Sequence, residues 1–242
     1  MKKISQLLYL VVALVVVSVT TFALISGGKK DKIVAENYQP LAGAKASSYE
    51  PFAGTLEVKA DDNIIGSDKA SLKVFVYEDY SSKYSSELAE TLNKIFLEAD
   101  NQLMIIVRPY ALSSSIISRE TALATMCAKD LGKWETMRTF LLAAVKDGAL
   151  SDVGFSGYAN AIQVNEDEFK ACLTNEEKSV KLDELMLNAK EQLVLGAPTI
   201  IVGNDMILGA RPYADYVDSN GDSIEGLKTV IMKKLGELSK RN

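Results

Sequence analysis

The residues best placed to do chemistry lie in YEDYSSKYSSELAE, from Tyr77 to Glu90. An apolar, β-like run from Leu72 to Tyr77 leads into it, and a helix-like run from Glu87 to Ala99 leads out. The first turn of such a helix offers free N–H groups and the positive end of a dipole, which favour a nucleophile or an anion. The groups supplied here are serines, tyrosines and Lys83. A serine nucleophile needs an adjacent base. The chain has no histidine, and the side chain of Lys83, next to Ser82 at a helix start, diverges from it, which argues against a Ser-Lys hydrolase. The plainer role is capping: Ser82 at the N-cap would accept from the backbone N–H of Tyr84 or Ser85 and contribute about 1 kcal/mol.

The missing histidine excludes Ser-His-Asp triads, Cys-His dyads and His-based zinc sites. The two cysteines, Cys127 and Cys172, stand 45 positions apart, outside any CxxC spacing, and cannot alone hold zinc. No metal and no cofactor is expected. Asp218-Ser-Asn220-Gly-Asp222 has the oxygen spacing that opens a calcium loop, but its glycine falls at the fourth position and Thr229 stands at the twelfth. A turn leading to a helix N-cap at Asp222 or Ser223 is the expectation. A net charge of −5 and a pI near 5.0 give no basic face, so no nucleic-acid partner is expected.

The elements that must position these residues follow from periodicity. Leu72 to Tyr77 and Leu103 to Val107 read as buried strands, and between them Leu88, Leu92, Ile95 and Phe96 make one apolar helical stripe. Strand, helix, strand in this span is a βαβ unit with parallel neighbours. A helical section follows from about Ser118 to Leu195, with Trp134 and the leucines near it as its core. Pro198 to Val202, a Gly203-Asn204-Asp205 turn and Met206 to Leu208 form an antiparallel hairpin. Ile224 to Leu238 closes the chain as a helix. The fold class is α/β, a thioredoxin-like plan with a helical insertion over about 113–195.

The N-terminus reads as an address. Lys2 and Lys3 precede a charge-free apolar run of 19 residues, Leu7 to Ile25, which as a helix spans roughly 28 Å, close to a bilayer core. A signal anchor over residues 1–28 is favoured, forming one transmembrane helix; a cleaved signal and a secreted product is the alternative. Residues 29–54 read as a linker rich in Gly, Ala, Ser and Pro, and residues 55–242 as one domain.

Over most of residues 58 to 242 the sequence resembles the DsbA-like branch of the thioredoxin superfamily. DNIIG (Asp62 to Gly66) is similar to the family's lead-in, VFVYEDY to the strand before its CPxC motif, and GKWETMRTFL (Gly132 to Leu141) to a central pattern. GAPTIIVGNDMILGARPY (Gly196 to Tyr213) looks like the family's block around a conserved proline. The resemblance places Ser82 and Ser85 on the two redox cysteine positions, with SKYS replacing CPxC, so the dithiol chemistry is absent there. It also implies a cis Ala197–Pro198 bond, and a peptide-binding edge at Tyr84, Ala197 and Pro198 where an extended client would add as a strand; a Pro198 that only opens an edge strand is the competing reading. Cys127 and Cys172 are implied to be disulfide partners, with buried free thiols or a relocated redox pair as alternatives; a bridge closing that loop would contribute roughly 4 kcal/mol. The expectation is a membrane-held domain on the extracytoplasmic side acting as a binding, scaffold or chaperone-like module with a protein or peptide partner. The alternative is a thiol-disulfide oxidoreductase or isomerase working through Cys127 and Cys172 or a partner's thiols.

Overall fold

The computed structural model describes residues 50–150 and 154–240. The expected anchor and nearly all of the linker lie outside the described residues, and no described helix is long and apolar enough to cross a membrane.

A mixed sheet organises the domain. Strand β3 (Leu72–Glu78) runs parallel to β4 (Leu103–Pro109), in register from Leu72 beside Leu103 to Glu78 beside Pro109. Helix α1 (Lys83–Glu98) is the crossover between them. The hairpin of β5 (Thr199–Val202) and β6 (Asp205–Leu208) lies antiparallel on the other side of β3, with Thr199 beside Tyr77. Strands β1 (Glu50–Pro51) and β2 (Asn63–Gly66) close the edges, giving the order β1-β6-β5-β3-β4-β2.

Both faces of the sheet are covered, which is why β3 and β4 read as nearly unbroken apolar runs. Val74, Val76, Ile105, Val107, Ile200 and Val202 point to one face, against Leu88, Leu92 and Ile95 of α1 and Leu227, Val230 and Ile231 of the C-terminal helix α7 (Leu227–Ser239). The alternate residues Phe75, Tyr77, Met104, Ile106 and Ile201 point to the other face, with Phe52, Ala189 and Val194. Each such side chain, fully buried, contributes on the order of 2 kcal/mol. Gly66 ends β2 at φ +100°, and a Cβ there would lie 2.4 Å from the Leu103 carbonyl oxygen, so the close approach of β2 needs glycine.

Between β4 and β5 the described residues form α2 (Ile116–Asp130), α3 (Trp134–Lys146), α4 (Phe155–Ile162), α5 (Glu166–Leu173) and α6 (Glu176–Glu191). Four of them enclose a second core of Tyr80, Ala124, Cys127, Met137, Leu141, Tyr158 and Phe169. Trp134 differs from expectation: it is half-buried and packs on the sheet core beneath α1 and α7. The expected C-terminal boundary is also corrected. Ser223–Ile224 is β8, paired with β7 (Tyr216–Val217), so the last helix starts three residues later than expected, at Leu227, with Gly226 as its N-cap. A Cβ on Gly226 would lie 2.3 Å from the carbonyl carbon of Ala214, so this N-cap position needs glycine. The loop between β7 and β8 is a turn: the Asp218 carboxylate accepts from the N–H groups of Asn220 and Asp222, both at 2.9 Å.

Candidate strand to helix junction

β3 ends in two buried carboxylates with opposite partners. Glu78 is fully buried and takes a bidentate pair from Arg138 of α3, Nε to Oε2 at 2.8 Å and Nη2 to Oε1 at 2.6 Å. Asp79 faces the junction itself, where Oδ1 accepts from the Ser81 N–H at 2.8 Å and from the Ser81 hydroxyl at 2.6 Å. Burial pushes the Asp79 carboxyl above the usual carboxylate range, while the bonds from Ser81 and Ser118 hold it down. The backbone turns here, with the Ser82 N–H donating to the Asp79 carbonyl at 3.0 Å.

Ser82 is the N-cap residue of α1, as expected, with extended backbone and its carbonyl accepting from the Ser86 N–H at 3.2 Å. The expected capping bond is absent: the Ser82 side chain bonds neither Tyr84 nor Ser85. The helix also starts earlier than its apolar stripe suggests, at Lys83, because Ser85 and Ser86 are buried and satisfied by distant backbone. The Ser85 hydroxyl accepts from the Asp79 N–H at 3.2 Å, and the Ser86 hydroxyl donates to the Leu142 carbonyl at 2.9 Å. Ser82 and Ser85 thus share the first turn but not an environment, the first half-exposed and the second closed off. Lys83 is turned away from both hydroxyls and lies over the Tyr84 ring, 5.2 Å from its centroid.

The Ala197–Pro198 peptide bond is cis. It stands at the same end of the sheet as the junction, because Thr199 pairs with Tyr77, one residue before Glu78. Pro198 lies just outside β5 and its carbonyl accepts from the Gly209 N–H at 2.8 Å, while the Thr199 hydroxyl donates to the Gly196 carbonyl at 2.7 Å. These bonds fix the loop from both sides. Of the three residues expected to meet a peptide, Ala197 and Pro198 are buried and Tyr84 is exposed.

Cys127 of α2 and Cys172 of α5 form a disulfide, with Cα atoms 5.9 Å apart. Cys127 is fully buried in the second core, and no free cysteine exists among the described residues. No cluster of carboxylates or cysteines among the described residues could hold a metal ion.

Sequence reasoning did not find the Glu78–Arg138 pair or the Asp79–Ser81 turn. Signals were available in the two acidic residues ending an apolar strand and in an arginine inside an apolar helical stretch. Two unpaired carboxylates cannot be buried cheaply, so one of them needed a cation from elsewhere in the chain.

A mixed sheet with one parallel βαβ crossover and a cis-proline loop beside the crossover's turn defines a thioredoxin-type domain. The thioredoxin family model matches residues 59–218, and the chain belongs to that family. No protein of curated function matches the sequence. Among solved structures, alpha-DsbA1 of Wolbachia pipientis shares the fold at a TM-score of 0.59 and 16% identity, over 77% of this chain and 96% of that one. A thioredoxin-like oxidoreductase from Silicibacter pomeroyi follows at 0.57 and 14%, over 75% and 94%. The thiol-disulfide exchange protein alpha-DsbA2 of Wolbachia pipientis gives 0.53 and 20%, over 73% and 87%. At these identities it is the fold that is shared.

Proposed function

We propose that this protein is a membrane-anchored, extracytoplasmic thioredoxin-fold module that binds extended segments of other proteins and does not catalyse thiol-disulfide exchange. The observation that carries it is chemical: the strand to helix junction holds Ser82 and Ser85, and the chain's only two cysteines are bonded to each other in the helical insertion. A serine hydroxyl neither ionises near neutral pH nor forms a bond to a partner's sulfur, so the exchange step has no nucleophile at this place. The disulfide supports an oxidising compartment, and the apolar run Leu7 to Ile25 supports the anchor. Binding would use the edge around Tyr84, Ala197 and Pro198, where the cis-proline loop lies beside the end of β3.

Turnover of a disulfide substrate with excess reductant tests the first half of this reading. The expected rate equals the uncatalysed background; turnover that Cys127→Ala abolishes would instead identify an oxidoreductase acting through Cys127 and Cys172. For the second half, Tyr84→Ala, at the exposed residue of this edge, is expected to lower capture of an unfolded-protein probe such as reduced, alkylated lactalbumin while leaving the urea midpoint near that of the parent. Unchanged capture would remove this edge from the reading.

A further inference from the structure

Asn220 is the only asparagine of the chain followed by glycine, and it lies in the loop of residues 218–222 between β7 and β8, closed where Val217 pairs with Ser223. Asn220 and Gly221 are both exposed, and a Cβ on Gly221, at φ +86°, would meet open space. The Asn220 backbone N–H donates to the Asp218 carboxylate at 2.9 Å, but among the described residues no hydrogen bond holds its side-chain amide. The Gly221 N–H donates to the Asp218 carbonyl at 3.1 Å, a turn bond at the long end of the usual range that water can replace. Other asparagines are secured. Asn63 is buried and donates to the Val107 carbonyl, and Asn188 donates to the Glu184 carbonyl within α6. Asn165 and Asn175 spend their side-chain oxygens capping α5 and α6. Asn101 and Asn204 are exposed in turns, but the residues that follow them, Gln102 and Asp205, carry side chains that crowd the backbone nitrogen.

We propose that Asn220 is a modification site, converted to aspartyl and isoaspartyl residues by attack of the backbone nitrogen that follows it. Solvent base removes the Gly221 amide proton, and the nitrogen adds to Cγ of Asn220. The new C–N bond forms as the side-chain nitrogen leaves as ammonia, giving a cyclic imide. One water then opens the imide at either carbonyl, to the aspartyl form or to the isoaspartyl form, so no oxidant, cofactor or enzyme is needed. Glycine makes this feasible because it has no side chain to hinder the approach and leaves the backbone free to turn. The product carries one negative charge more than the −5 of the unmodified chain, set beside Asp218 and Asp222. In the isoaspartyl form the main chain also gains a methylene inside the loop. That displaces the bonds that close it, from the Asp218 N–H to the Asp222 carbonyl and from the Asp222 N–H to the Asp218 carboxylate, both at 2.9 Å. The sheet core takes no residue from this loop, so the change is confined to the charge and shape of the β7–β8 hairpin.

The test ages the folded full chain in mildly alkaline buffer and follows each asparagine by peptide mapping and mass spectrometry. Isoaspartate is counted separately, by transfer of labelled methyl groups from S-adenosylmethionine with an isoaspartyl methyltransferase. Asn220 is expected to convert several-fold faster than Asn101 and Asn204 in the same sample. The aged protein is expected to gain an acidic band in isoelectric focusing that migrates with the Asn220→Asp variant, and the methyl label is expected to fall to background in Asn220→Gln. Conversion at Asn220 no faster than at Asn101 and Asn204 would overturn the proposal. Undiminished label in Asn220→Gln would also overturn it, by placing the isoaspartate elsewhere in the chain.

Discussion

Asp79 is the residue whose surroundings are most at odds with its charge. Its folded pKa is raised, chiefly by burial, so between the ordinary carboxylate value near 3.9 and the raised one the folded state keeps a proton that the unfolded chain has released. Stability falls as pH rises through that window and stays lowered above it. Asp79→Asn keeps an acceptor for the two Ser81 bonds without a charge, so it is expected to raise the urea midpoint at neutral pH and to match the parent in strong acid. Urea titrations at both pH values check this, and a lower midpoint at neutral pH would show that the carboxylate is held by more than these bonds. Glu78 differs because its charge is matched. Glu78→Gln strands the Arg138 guanidinium in the interior and is expected to cost about 3 to 5 kcal/mol, and the double change Glu78→Leu with Arg138→Met is expected to restore most of it. Both readings come from the same urea curves.

At the scale of elements, helix ends decide the next two outcomes. The Ser82 side chain makes no capping bond, so Ser82→Ala should change stability by no more than about 0.5 kcal/mol. A loss near the usual capping value would mean that the bond forms in solution. At the other kind of end, Leu193→Gly relieves a left-handed backbone and should add about 1 kcal/mol in equilibrium unfolding. These ends also mark where the sequence was legible. The interiors of β3, β4 and α1 were readable because Val74, Val76, Leu88 and Leu92 follow strand and helix periods that packing then uses. The start of α1 was not, since Ser85 and Ser86 are polar in sequence but buried by bonds to Asp79 and Leu142 that no local pattern reveals. Likewise Ser223–Ile224 reads as the opening of a helix until the pairing with Tyr216–Val217 claims it. Of the junction, the absence of sulfur was plain from the residues, while its ion pair depended on a helix about sixty residues away.

Across the whole molecule, the covalent link and the sheet lie in different cores. The disulfide joins α2 to α5 within the cluster of Tyr80, Tyr158 and Phe169, and α5 buries only Phe169 among its other side chains. Reduction should therefore loosen the insertion first. Hydrogen exchange of the protein held in reductant is expected to speed up in α2, α4 and α5 while β3 and β4 stay slow. Cys127→Ala with Cys172→Ala should lower global stability by up to about 4 kcal/mol, the loop-closure value for a bridge of this span. Uniform acceleration across both cores would mean that they open as one unit.

The strand order carries a consequence for how the chain acquires its fold. β3 and β4 pair across a short crossover, but the other side of β3 waits for Thr199 to Val202, and β1 waits for β6, each from the far end of the chain. During synthesis from the N-terminus, β3 and β4 with α1 can form early with an apolar edge still unpaired. That edge closes only once the last fifth of the chain has emerged. Long-range pairing of this kind slows folding and leaves a nascent chain open to aggregation. The β5–β6 hairpin is thus the latch of the domain, and until it arrives the free side of β3 has no strand to pair with.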